Sequence, residues 1–143
     1  MATTKRQRNE LAAIARHAKG HAYAGYSRFR VGAALLTSDG TVFEGCNVEN
    51  ASYGLAICAE RNAVFQAVAA GKKIFRSIAI ASDDKGYLSP CGACCQVLSE
   101  FAPRLEVLLT DARGNIKVTS LDKLFPTPPD LKKLSLRTRR TGK

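Results

Sequence analysis

Cys58-Ala59-Glu60 and Pro90-Cys91-Gly92-Ala93-Cys94 are the stretches of this 143-residue chain whose residue types could do chemistry together. Cys91 and Cys94 stand three residues apart, the spacing that puts two side chains on one face of a helical turn. If both stretches open helices, each offers free backbone N–H groups and a positive dipole end, which favour thiolate over thiol. Should the two helix starts face one another, three thiolates converge on a single cation. Zinc takes such sulfur ligands tetrahedrally at about 2.3 Å. Three protein ligands leave a fourth position open, which separates a catalytic zinc from a closed structural one. Cys95 adjoins Cys94 but points about 100° away around the helix, whereas Cys46, at the end of a strand, stays a candidate for the fourth position. Glu60 favours the open reading, because a carboxylate two residues after a ligand can reach a water without binding the metal. Taken singly, each cysteine reads as a small core residue and Glu60 as an acid complementing a helix dipole. The combination, with Pro90 and Gly92 in place, favours the metal.

These residues need elements to position them. Leu11, Ile14, Ala15 and Ala18 recur at helical spacing, which predicts a helix over residues 5–19 ending at Gly20. Residues 29–37 and 41–46 read as two strands around a Ser38-Asp39-Gly40 turn, hence a hairpin. Residues 47–54 are an irregular polar connection. A second helix is expected from about Cys58 to Ala70, stopped by Gly71, and a strand over 74–82. A third helix opens near Cys91 and ends before Pro103. Strands over 105–110 and 116–118 flank the turn Asp111–Gly114, and a short helical turn at 121–124 precedes Pro126. The order α-β-β-α-β-α-β-β implies an α/β fold with helices packed on a mixed sheet.

Composition bounds the rest. The length suits one domain, expected over residues 1–129 with a basic tail at 130–143. No apolar run approaches the roughly 18 residues that a membrane span needs, and the basic start leads into no apolar segment, so no secretory signal is expected. Five cysteines without an export signal do not suggest a disulfide framework. The expected setting is a soluble cytoplasmic domain with no membrane partner. The net charge of +10 invites a nucleic-acid reading, but its distribution opposes one. Residues 1–30 carry seven Lys+Arg against one acid, residues 131–143 carry six and none, and the body between is slightly acidic. Basic ends are commonly solvated tails, so nucleic acid is not the expected partner.

With these motifs in place, the sequence resembles the small homotetrameric zinc-dependent cytidine deaminases of nucleoside salvage, over roughly residues 10–125. The resemblance rests on Tyr23-Ala-Gly-Tyr26-Ser27-Arg-Phe29-Arg-Val31-Gly32-Ala33-Ala34 and on Gly45-Cys46-Asn47-Val48-Glu49-Asn50-Ala51-Ser52-Tyr53. Cys58-Ala59-Glu60-Arg61 and Ser89-Pro90-Cys91-Gly92-Ala93-Cys94 complete it. Zinc deaminases pair a ligand-x-Glu element with Pro-Cys-x-x-Cys and use the Glu as proton shuttle. The resemblance implies an α/β/α sandwich around a five-stranded mixed sheet, one Zn²⁺ per chain, and a homotetramer with sites at subunit interfaces. It implies Cys58, Cys91 and Cys94 as zinc ligands, Glu60 as acid/base and Arg61 as the cation beside the sulfurs. It further implies that Asn47 and Glu49 bind the ribose 3′-hydroxyl and that Phe29 packs on the nucleoside. The Ala59 N–H and carbonyls around Ser89 would orient the base, and Ala51 with Tyr53 would help build a neighbour's site.

An amide and a carboxylate can together donate to and accept from one hydroxyl; the plainer reading of Asn47 and Glu49 is that they stabilise their own turn. The chain departs from the family at Gly25, commonly Pro, and at Cys95, commonly Arg. It also departs at Pro129, where an aromatic lid residue is frequent, so Phe125 becomes the candidate substitute. The expected reaction is hydrolytic deamination of cytidine and 2′-deoxycytidine. The competing readings are another small-molecule zinc deaminase, of the blasticidin S type, an RNA- or ssDNA-directed deaminase or nucleic-acid-binding module, and a structural zinc module.

Overall fold

The computed structural model of the protein describes residues 2–130, so the basic tail expected at 130–143 lies, apart from Asp130, outside the described residues. The chain runs α1 (Lys5–Lys19), β1 (Val31–Thr37), β2 (Val42–Cys46), a single 3-10 turn (Tyr53–Leu55) and α2 (Ala59–Ala69). It continues through β3 (Phe75–Ser82), α3 (Gly92–Phe101), β4 (Glu106–Thr110), β5 (Ile116–Ser120) and α4 (Leu121–Leu124). The strands form one mixed sheet in the order β2-β1-β3-β4-β5. Only β3 and β4 are parallel; the connection between them carries α3, as a parallel crossover requires.

Alternation along the strands divides the core in two. Ala34, Leu36, Ala79, Ala81 and Leu108 face α1, packing on Leu11 and Ala15. Ala33, Leu35, Ile78, Ile80, Val107 and Leu109 face the other way, onto α2 and α3. Every residue of β1 is buried, as expected of a strand covered on both faces. The result is the expected α/β/α sandwich around a five-stranded mixed sheet. No helix among the described residues is long and apolar enough to cross a membrane.

Two glycines set how closely the helices approach. A Cβ at Gly32 would overlap the backbone of Ala15 and Lys19 on α1, and one at Gly45 the Ala59 carbonyl and the Ala63 backbone on α2. Side chains lock the second contact: Asn62 Nδ2 donates to the Cys46 carbonyl at 2.8 Å and Gln66 Nε2 to the Glu44 carbonyl at 2.7 Å. The first turn of α2, with Cys58 and Glu60, is therefore seated directly on β2. Gly45→Ala should destabilise the fold by about 2–3 kcal/mol, because backbone must move to admit the methyl. Gly54→Ala, whose Cβ meets nothing within 4 Å, should change stability by less than about 0.5 kcal/mol. Equal urea midpoints for the two variants would refute the close approach.

Candidate metal centre and nucleoside site

Helices α2 and α3 each begin at a cysteine. Cys58 is the N-cap of α2 and Cys91 the N-cap of α3, both with extended backbone and neither using its sulfur as a cap. The first backbone bonds of these helices run from the Asn62 N–H to the Cys58 carbonyl and from the Cys95 N–H to the Cys91 carbonyl. The N–H groups of the intervening first turns thus have no helical acceptor and point toward the sulfurs' end. Ala59, fully buried, supplies one of these N–H groups.

The two helix starts meet. Cys58 Sγ lies 3.8 Å from Cys91 Sγ, and Cys91 Sγ lies 3.5 Å from Cys94 Sγ. All three sulfurs lie within 4.8 Å of one another. Tetrahedral zinc with Zn–S bonds of about 2.3 Å holds two sulfurs about 3.8 Å apart. The Cys58–Cys91 separation is that of sulfurs sharing one tetrahedral ion, whereas a disulfide would need about 2.0 Å. Among the described residues no other group of three or more His, Cys, Asp or Glu side chains converges in this way. Cys46 and Cys95 stay outside the cluster: the Cys95 thiol is buried and donates to the Pro90 carbonyl at 3.6 Å. The donor set is three sulfurs with the fourth position left to solvent or substrate, and it fits zinc.

Electrostatics favour thiolate at Cys58. The neighbouring Cys94 thiol and the Arg61 guanidinium hold Cys58 down to about 5. Cys94 is pushed up, because it keeps the proton shared with Cys58 and is buried. Arg61 Nη2 donates to Cys58 Sγ at 3.4 Å, and its Nε is buried with no partner among the described residues. Three thiolates and a divalent cation sum to one negative charge, which this guanidinium offsets. Glu60 is 4% exposed. Burial raises its carboxyl above the usual range, against a hydrogen bond from Cys94. A carboxyl held in this way beside the sulfurs can take up and return a proton.

Of the remaining predicted residues, Phe29 lies before β1, Asn47, Glu49, Ala51 and Tyr53 lie after β2, and Ser89 lies in the connection before α3. Val48 pairs with both Tyr23 and Ile57, tying the loop after β2 to the chain before β1 and to the approach to α2. Asn47 Oδ1 accepts the Val31 N–H and its Nδ2 donates to the Phe29 carbonyl, both at 2.8 Å. Glu49 Oε1 accepts the N–H groups of Tyr26 and Ser27, each at 3.0 Å. Both side chains therefore brace the turn, and each keeps capacity for a further partner. A cleft of about 340 Å³ opens here, lined by Tyr26, Ser27, Glu49, Asn50, Tyr53 and Ala56. The sulfurs and Glu60 lie outside its lining.

Phe29 precedes β1 and stays partly exposed; Ala51 and Ser89 are exposed, and Tyr53 is 80% exposed. Phe125 packs half-buried against the core beside Leu124, with its N–H on the Leu121 carbonyl. Its ring is thus part of the packing around α4. Asp83, directly after β3, belongs to none of the sequence motifs. Its carboxylate accepts the Arg30 N–H at 2.9 Å, pairs with the Arg30 guanidinium at 3.0 Å and meets Lys19 at 3.1 Å, fixing the entry to β1.

Comparison with known proteins follows the same lines. The sequence model of the cytidine and deoxycytidylate deaminase zinc-binding region matches residues 5–110. The chain is 47% identical over 118 residues to a protein named cytidine deaminase from Sporosarcina psychrophila, spanning 82% of this chain and 87% of that one. Among solved structures, cytidine deaminase from Burkholderia pseudomallei is 52% identical, with a TM-score of 0.81, over 84% of this chain and 97% of that one. Cytidine deaminase from Mycobacterium tuberculosis superposes with a TM-score of 0.75 at 38% identity, over 85% and 96% of the two chains.

Proposed function

The chain belongs to the cytidine and deoxycytidylate deaminase family, and we propose that it hydrolyses cytidine and 2′-deoxycytidine to uridine and 2′-deoxyuridine with release of ammonia. The observation that carries the reading is the cluster of Cys58, Cys91 and Cys94 at tetrahedral spacing, with the buried carboxyl of Glu60 two residues after the first of them.

Cys58, Cys91 and Cys94 would hold the zinc, which would supply a Lewis acid able to make a water acidic near neutral pH. Glu60 takes the proton of the attacking water, delivers it to ring N3 and later protonates the departing 4-amino group. The reaction balances as nucleoside plus water giving the uridine product and ammonia. The Ala59 N–H and the carbonyl at Ser89 orient the base, Phe29 packs on the nucleoside, and Asn47 with Glu49 binds the ribose 3′-hydroxyl. Arg61 lowers the cost of gathering three thiolates. The exposure of Tyr53 and Leu55 in a single chain supports a homotetramer in which the loop carrying Ala51 and Tyr53 completes a neighbour's site. A pyrimidine-salvage role in the cytoplasm, with no nucleic-acid partner, accords with an uncharged nucleoside as substrate. Residues 1–129 form the catalytic domain.

An ultraviolet assay with cytidine, deoxycytidine, free cytosine and a short cytosine-containing oligonucleotide tests the proposal, with and without a zinc chelator. Chelator-sensitive turnover of the two nucleosides is expected, with free cytosine at least about 100-fold poorer because the sugar contacts are lost. Equal use of free cytosine would refute ribose recognition. Salt-dependent turnover of the oligonucleotide would replace the nucleoside as substrate.

A further inference from the structure

The turn from Ala24 to Arg30 is shaped by side chains and not by strand pairing. Ser27 Oγ donates to Glu49 Oε2 at 2.5 Å and accepts the Phe29 N–H at 3.0 Å. Between them Arg28 has φ of 58°, a left-handed conformation that residues other than glycine seldom adopt without support. The Arg28 N–H closes the turn onto the Ala24 carbonyl at 2.8 Å. From the other side Asn47 accepts the Val31 N–H and donates to the Phe29 carbonyl. Phe29 is consequently held at both ends of its backbone, by Ser27 at the N–H and by Asn47 at the carbonyl.

Glu49 shows why this matters. An ionised carboxylate offers about four acceptor sites. The Tyr26 and Ser27 N–H groups occupy Oε1, and the Ser27 hydroxyl takes one site on Oε2. One site on Oε2 remains, and the Ser27 hydroxyl fixes its direction. The Asn47 amide nitrogen carries a second hydrogen beyond the one given to the Phe29 carbonyl. Together they offer one donor and one acceptor, the complement of a single hydroxyl. The same Ser27 contacts hold the Glu49 carboxyl below its usual range, so it stays an acceptor.

We propose that Ser27 is a positioning residue for sugar recognition: its hydroxyl couples Glu49 to Phe29, so that the remaining acceptor of the carboxylate and the aromatic ring are presented to the nucleoside as one rigid unit. The inference rests on the reading of Asn47 and Glu49 as contacts to the ribose 3′-hydroxyl. It predicts a binding defect, since the Ser27 hydroxyl touches neither the sulfurs nor Glu60.

The test measures KM and kcat for cytidine and 3′-deoxycytidine with the wild type, Ser27→Ala, Ser27→Gly and Ser27→Thr. Ser27→Ala should raise KM for cytidine at least about 10-fold, the lower end of the cost of losing a hydrogen bond to a charged group, with kcat within about threefold. The wild-type preference for cytidine over 3′-deoxycytidine should shrink by at least about fivefold in the same variant. Ser27→Thr, which keeps the hydroxyl, should restore both. Ser27→Gly should repeat the Ala result, so a folding defect in either variant leaves the other as the test. A KM within twofold of wild type, or an equal loss on both nucleosides, overturns the role of Ser27. Failure of the wild type to turn over either nucleoside overturns the nucleoside reading itself, and Ser27's role with it.

Discussion

Glu60→Gln is expected to bind zinc as the wild type does and to deaminate cytidine about 10³-fold more slowly. Gln has the size of Glu and keeps its hydrogen-bonding reach, so the packing around the first turn of α2 should survive. It cannot accept and return a proton, and the proposed chemistry calls on that carboxyl for each transfer. A contrary stability effect should accompany the loss. Burial raises the Glu60 carboxyl above its usual range. A group raised in this way contributes its stability fully below its unfolded pKa and loses it as pH rises through the folded value. Ionising this carboxyl therefore costs the native state stability, and a neutral amide in its place should leave the thermal midpoint equal or higher. Zinc content, kcat and the melting curve of one preparation decide the matter. A variant that retains a tenth or more of wild-type kcat would remove Glu60 as the proton carrier.

How much of this was legible in the residues differs from one element to the next. The helix over 5–19 follows from its apolar period, and the structure places α1 at Lys5–Lys19. The hairpin followed from Ser38-Asp39-Gly40, and Gly40 indeed takes a positive φ. The strand expected from residue 29 begins only at Val31. Its first two residues are diverted because Ser27 and Asp83 capture the Phe29 and Arg30 N–H groups that would otherwise enter the ladder. Captures of this kind depend on side chains 2 to 53 positions away, and no local pattern encodes the distant one.

The sheet order was hidden for the same reason. A mixed sheet follows from the order of elements, but β1 lying between β2 and β3 depends on pairings across the whole chain. The glycines at 32 and 45 carried the information that α1 and α2 lie against backbone on opposite faces. In the sequence they read only as small strand residues. The metal cluster was the most legible part, because its ligands sit at two helix starts whose spacing is local. The convergence of those starts was an inference, and the 3.8 Å separation of Cys58 and Cys91 bears it out. Asn47 and Glu49 proved to hold their own turn, so the plain reading is realised in the structure. The ribose reading is compatible with it, because each side chain keeps one unused group.

Cys91→Ala is expected to leave a folded protein that no longer retains zinc. Of the three sulfurs, Cys91 allows the cleanest separation of metal binding from packing. Cys94 is fully buried, so removing its sulfur would open a cavity as well as a ligand position. Cys91 is exposed, stands before the first helical residue of α3 and makes no side-chain cap, so its thiol carries little of the fold. Structural zinc sites bind with apparent free energies of about 10–16 kcal/mol. Losing one of three protein ligands should weaken affinity by at least about a thousandfold. Zinc that binds only the native state stabilises by about 2.7 kcal/mol at a hundredfold excess over Kd. The wild type should therefore melt higher with added zinc and lower with chelator, while Cys91→Ala should melt at one temperature in both. Elemental analysis of the purified variant should show well under one zinc per chain, with cytidine turnover lost in step. Stoichiometric zinc in Cys91→Ala would take Cys91 out of the ligand set.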